Sequence, residues 1–210
     1  MIAQLKMCEN IRMDSQVMRG RIVLKDSIIE DGVITVEGQF ISHICPASDF
    51  SGELPQSSGS TFLPGLVDVH CHGGGGESFP NATTPEAAMQ AVMEHRRHGT
   101  TSLVASCVTA DADTLKARAR TLASLAEKDE IAGIHFEGPF VSHARCGAQD
   151  PTYIVDPDPD LTRELIDECK GYALSMTLAP EKPRAFGAGS VAEALIDGGA
   201  IPSWGHTDSN

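Results

Sequence analysis

The chain has 210 residues, 41% hydrophobic and 21% charged. That globular mixture excludes extended disorder and a membrane-embedded bundle, and the length suffices to bury a core without disulfides. With 16 Lys+Arg against 29 Asp+Glu the formal charge is −13. This excludes general binding to a nucleic-acid backbone, which needs a basic face, but leaves room for a small anionic ligand held by one local cation.

Residues 1–62 are rich in strand signals. Arg21-Ile22-Val23-Leu24 is a short apolar run, and "DGVITVEGQFISHICP" carries strand formers on both sides of Gly38, a turn candidate. Asp31-Gly32 reads as a second turn. A polar Gly/Ser/Pro stretch, "SDFSGELPQSSGS", then leads to a boundary near Phe62.

From residue 63 the texture alternates. "GLVDVHCH" reads as a buried strand. "TPEAAMQAVMEHRRHG" reads as a helix with Thr84 at the N-cap, Pro85 at N1 and Gly99 as the stop. "TSLVASCVT" is the next strand. The helix in "DADTLKARARTLASLAEK" places Leu115, Ala119, Leu122 and Ala126 on one face. "IAGIHFEGPF" is a strand that runs into Gly138-Pro139, and a long loop follows. "DPDLTRELIDECKG" is a helix with acidic residues in its first turn, where the dipole favours them. "YALSMTLAPE", "SVAEALIDGGA" and "IPSWGHTD" complete the series as strand, helix and strand. Strands separated by single helices predict parallel βαβ units, and thus an α/β fold.

Six cysteines occur: Cys8, Cys45, Cys71, Cys107, Cys146 and Cys169. None forms a Cys-x-x-Cys pair, so zinc-ribbon and thioredoxin-type readings have no support. The N-terminal "MIAQLKMCENIRMDSQ" has no apolar signal region, and no apolar run approaches about 18 residues. The expectation is a cytoplasmic protein with free thiols and no membrane partner.

Three motifs carry chemistry. In "PGLVDVHCHGGGG", side chains two apart share a strand face, so Asp68, His70 and His72 are expected to project together. Two imidazoles at that spacing can grip one metal ion. Gly73 to Gly76 then let backbone approach a ligand closely. In "GIHFEGPF", Glu137 ends a strand as a candidate metal-binding carboxylate, while His135 is expected in the interior. In "WGHTDSN", His206 ends the last predicted strand. Ligand-type residues thus end the first, third and fifth barrel-type strands, and strand C-termini converge on one mouth in β/α barrels. Elsewhere the bland readings are preferred. His95 and His98 are helix-end cations and Cys71 and Cys107 are packing residues, while Cys146, in the loop after Glu137, has an accessible redox-sensitive thiol only as its less favoured reading.

At these residues the chain resembles the amidohydrolase superfamily: metal-dependent hydrolases on a distorted (β/α)₈ barrel with a small β-sandwich. "FLPGLVDVHCH" looks like its first-strand signature. "GIHFEGPF", "TLAPE" and "GHTD" together resemble the deacetylases of N-acetylglucosamine 6-phosphate. Relatives that bridge two metals through a carbamylated lysine are a poorer match, because "YALSMTLAPE" offers no lysine.

The resemblance implies Glu137 and His206 as metal ligands, with His70 and His72 serving a second metal position where a member binds two. It aligns Ala148 and Gln149 with substrate-contacting loop positions, the second commonly His in the family. It implies a divalent metal, most simply zinc, with iron, cobalt or manganese as alternatives. A phosphorylated amino sugar is the implied substrate, and a homodimer the implied full-length assembly. Members continue past this length, with another histidine ligand, phosphate-gripping residues, a catalytic aspartate and returning sandwich strands. The expectation is therefore the N-terminal part of a β-sandwich (1–62) and the first half of a barrel (63–210). The family's catalytic aspartate is expected beyond Asn210, which leaves no assignable catalytic acid or base within the chain. Another amidohydrolase, or a non-catalytic fragment whose open sheet edge invites pairing, are the competing expectations.

Overall fold

A computed structural model describes residues 15–209. It divides into two units, one ending at Pro64 and one beginning at Gly65.

The first unit is a four-stranded sheet. Strands β1 (Ser15–Val23), β2 (Ile28–Glu37) and β3 (Phe40–Pro46) form an antiparallel meander. The short β4 (Thr61–Phe62) pairs parallel to β1, giving the order β3-β2-β1-β4. Val33, Cys45 and Ala47 form a small core with Val17 and Phe50 packed on it. Gly38 turns the chain between β2 and β3 at φ 60°, as expected. Asp31-Gly32 is not a turn. Both residues lie inside β2, where Gly32 faces Gly20 of β1. A Cβ on Gly32 would strike the Ile22 side chain, so the glycine answers close packing rather than chain reversal. The reversal falls earlier, where the Leu24 N–H donates to the Ser27 carbonyl at 2.9 Å.

The second unit follows the alternation read from the sequence. Its elements begin with β5 (Leu66–Cys71), then the short β6 (Gly73–Gly74) and β7 (Glu77–Ser78), α1 (Pro85–Arg97) and β8 (Thr100–Val108). They continue with α2 (Ala112–Ala126), β9 (Gly133–Glu137), α3 (Pro159–Glu168), β10 (Ala173–Leu178), α4 (Val191–Asp197) and β11 (Ile201–Trp204). The five long strands are parallel in the order β11-β10-β9-β8-β5. Each strand thus neighbours the next in sequence, which is the curled half of a β/α barrel.

Helix ends match their chemistry. Thr84 caps α1 by accepting from the Ala87 N–H, with Pro85 at the first position. Asp111, Asp158 and Ser190 cap α2, α3 and α4 in the same way. The core lies between helices and sheet. Leu115, Ala119, Leu122 and Ala126 of α2 are all buried there with Phe136, Met176, Leu178 and Leu195. The half-barrel's edge strands are less covered. Val67 and Val69 of β5 and Ile201 and Trp204 of β11 are exposed.

Gly73 to Gly76 build a hairpin. β6 and β7 pair, and Gly75 and Gly76 form the reversal at φ 62° and 90°, the positive-φ turn that a two-residue hairpin favours.

Candidate metal centre

The site sits at the C-terminal ends of β5, β9 and β11. Glu137, the last residue of β9, is its hub. His70 lies in β5 and His72 directly follows it. Their Nε2 atoms are 3.3 Å from Glu137 Oε1 and 3.1 Å from Oε2, respectively, and 3.0 Å from each other. His206 brings its Nε2 to 3.1 Å from Glu137 Oε1. It stands two residues beyond Trp204, outside the strand in which it was expected, at φ 49°.

Backbone contacts orient two of the imidazoles. His72 Nδ1 lies 3.2 Å from the Ser106 carbonyl oxygen, and His206 Nδ1 lies 2.8 Å from that of Arg145. A carbonyl oxygen only accepts, so each Nδ1 carries the proton and, in the neutral ring, Nε2 is left with a lone pair. Those lone pairs face the Glu137 carboxylate. Acceptors so arranged need a positive charge between them, supplied by protonation or by a cation. An Nδ1–H held by a carbonyl, with Nε2 free, is also how metal-binding histidines are oriented. The donor set of imidazole nitrogens and a carboxylate suits zinc, iron, cobalt or manganese. His70, His72 and Glu137 each bring one ligand atom within 4.8 Å of the others, so the residues fit a divalent ion.

The electrostatics agree. Hydrogen bonding to His72 and the surrounding imidazoles hold the Glu137 carboxyl down at about 2. The same contact raises His72. Beneath them His135 is buried, with Nδ1 2.9 Å from Ser106 Oγ and Nε2 2.9 Å from Thr177 Oγ1. Its ring meets that of His70 edge-on, 4.6 Å between centroids. Burial first, then the charge of His70, lowers His135 to about 4. It is a neutral interior support, as its position in "GIHFEGPF" suggested.

Gln149 arrives from the loop after β9. It is 5% exposed. Its Nε2 donates to Glu137 Oε2 at 2.6 Å, and its Oε1 accepts from the Thr109 N–H at 2.7 Å. Both ends of the amide are engaged inside the protein, and that engagement fixes which end faces Glu137. Its neighbour Ala148 is exposed on the loop.

Asp68 does not join His70 and His72. Between Asp68 and Cys71 the pairing with β8 slips, so alternation is broken. Asp68 Oδ1 accepts the His70 N–H at 3.1 Å, and its carboxylate groups with Cys71 and His95. Asp208 is held by Arg145, whose Nε donates to Oδ1 at 2.8 Å. Asn210, beyond which the family's catalytic aspartate is expected, itself lies outside the described residues. Sequence reasoning missed the support given by Ser106 and Thr177. Small hydroxyl residues in apolar strands give no signal until a neighbouring strand brings a partner.

Residues 61–196 match the amidohydrolase family profile.

The chain belongs to the amidohydrolase family.

Members are metal-dependent hydrolases. The chain is 32% identical to the N-acetylglucosamine-6-phosphate deacetylase of Bacillus subtilis strain 168, over 90% of its own length and 49% of the relative's. It is 28% identical to an N-acetylgalactosamine-6-phosphate deacetylase of a Shewanella strain, over 87% of this chain and 45% of that one. Among solved structures, the mutant Mycobacterium smegmatis N-acetyl-D-glucosamine-6-phosphate deacetylase in complex with N-acetyl-D-glucosamine-6-phosphate superposes with a TM-score of 0.83. That match has 32% identity and covers 93% of this amidohydrolase chain and 50% of the other. The chain thus spans about half the length of the relatives it matches.

Among the described residues no helix is long and apolar enough to cross a membrane. Cys45, Cys71, Cys107, Cys146 and Cys169 are free thiols, and Cys8 lies outside the described residues.

Proposed function

We propose that this chain supplies the metal-holding half of a cytoplasmic deacetylase that hydrolyses the acetamide of N-acetylglucosamine 6-phosphate to glucosamine 6-phosphate and acetate. The observation that carries the reading is the Glu137 carboxylate ringed by the Nε2 atoms of His70, His72 and His206 within 3.3 Å. The likeness to deacetylases over nearly the whole chain supports the substrate class. Residues 1–62 then serve as the N-terminal part of a small β-sandwich, and residues 63–210 as the first half of the barrel. The whole enzyme is a homodimer in this reading, and its catalytic aspartate follows Asn210.

Glu137, His206, His70 and His72 hold the metal, most simply zinc. When bound, a divalent ion supplies Lewis acidity toward a carbonyl oxygen and makes water a nucleophile near neutral pH. The chain's own residues prepare for it. Glu137 stays ionised at all working pH values, because its neighbours hold its pKa at about 2. The Ser106 and Arg145 carbonyls hold the Nδ1 protons of His72 and His206, so that each ring presents Nε2 to the centre. Gln149 fixes the rotation of Glu137 through Oε2, which leaves Oε1 facing His70 and His206. Ala148, exposed on the loop beside it, is a substrate contact in this reading.

The test has two parts. Zinc content of the 210-residue chain is expected to fall on Glu137→Gln, and normal content in that variant refutes the ligand set. The zinc-loaded full-length enzyme is expected to release acetate faster from N-acetylglucosamine 6-phosphate than from its galacto epimer or the unphosphorylated sugar. Stoichiometric metal without acetate release refutes the substrate.

A further inference from the structure

A second cluster lies on the other side of β5, facing α1. Cys71 Sγ is 3.1 Å from His95 Nε2. The ligand atoms of Asp68, Cys71 and His95 all lie within 4.8 Å of one another. We propose that Asp68, Cys71 and His95 form a second metal site, a thiolate–imidazole–carboxylate set that takes one divalent ion of the zinc type.

The spacing suits a shared ion. Sulfur and nitrogen bound to one zinc at about 2.3 and about 2.0 Å stand roughly 3.1–3.6 Å apart as the angle opens from square to tetrahedral. The backbone is built to make the cluster. From Asp68 to Cys71 β5 takes three steps, while β8 takes two from Leu103 to Ala105. In an unbroken strand, residues three apart face opposite ways. The extra residue brings the carboxylate round to the thiol, the re-aiming that bulges perform beside functional sites. The last turn of α1 brings in His95.

In the metal-free chain the Gly73 carbonyl oxygen, which only accepts, holds a proton on His95 Nε2 at 3.1 Å and takes the Cys71 S–H at 3.7 Å, so an ion takes the place of both protons, the imidazole keeping its own on Nδ1 instead. Cys71 is 6% exposed, while Asp68 and His95 are half-buried, so the thiol is sheltered and an ion still has a path in.

The donor set differs from that around Glu137, which contains no sulfur. A thiolate selects zinc-like ions over magnesium or calcium. Binding releases the thiol proton to solvent and changes no oxidation state. The ion would pin α1 to the strand that presents His70 and His72.

Cobalt(II) titration of the 210-residue chain without oxygen separates the two sites, because only a thiolate ligand produces a sulfur-to-cobalt charge-transfer band. The band is expected in the parent chain and in Glu137→Gln, and is expected to vanish in Cys71→Ser. Its absence at saturating cobalt, its persistence in Cys71→Ser, or its loss in Glu137→Gln would each overturn the proposal. Should Cys71→Ser fail to fold by circular dichroism, His95→Gln keeps the thiol and is expected to shift the midpoint of the band's growth by about tenfold or more. An unmoved midpoint overturns the site.

Discussion

Gln149→Ala is the most revealing single change outside the ligands. It removes the 2.6 Å hydrogen bond to Glu137 Oε2 and the 2.7 Å bond from the Thr109 N–H. A hydrogen bond to a charged group contributes about 1.5–3 kcal/mol, and an abandoned buried donor costs about 1–3 kcal/mol. The site is 5% exposed, so solvent replaces the lost partners poorly. The metal-free chain should therefore lose about 2.5–6 kcal/mol of stability, read as a fall in the urea midpoint with an unchanged slope. Glu137 would also be freer to rotate. Outer partners of metal ligands typically hold about 10–100-fold in affinity, so zinc competition against a chelator should show a loss in that range. Gln149→Ala that unfolds at the parental midpoint and binds zinc with parental affinity would refute the claim that this amide positions Glu137.

Two further outcomes follow from burial. His135 is lowered from 6.5 to about 4 when folded, so between those values the unfolded chain binds more protons and stability drops as pH falls. The drop is roughly 3 kcal/mol at 1.36 kcal/mol per unit. It should shrink in metal-free His135→Asn, measured by urea unfolding from pH 7 to 4, and an identical pH profile in both chains would contradict it. Among the described cysteines, Cys146 should react with a thiol reagent in the native state. Cys107, pushed up to about 12 by burial, and Cys169, raised by the same cause, should react only on unfolding. Peptide mapping of the labelled chain checks the order, and rapid native labelling of Cys107 or Cys169 would contradict the packed core.

Much of the second unit was legible in the sequence because its signals are local. Thr84-Pro85 at a helix start, the α2 stripe from Leu115 to Ala126, and single helices between apolar strands each express a short-range rule, and together they predict a parallel sheet. His70, His72, Glu137 and His206 stood out because ligand-type residues recurred at strand ends.

What stayed hidden depends on a neighbouring strand. Asp31-Gly32 carries a turn signal, yet pairing with Gly20 of β1 holds Gly32 within β2, where a side chain would strike Ile22. Asp68 shares a sequence phase with His70 and His72, yet pairing with β8 inserts one extra residue and turns it toward Cys71 and His95. Gln149 is 12 residues from Glu137 along the chain, and only the loop's return across β8 and β9 sets its amide under that carboxylate. The sequence by itself determined the element types and the ligand chemistry, since propensity, capping and side-chain donors are properties of short segments. The tertiary structure decided which donors face one another, because register, bulges and loop closure arise only when strands meet.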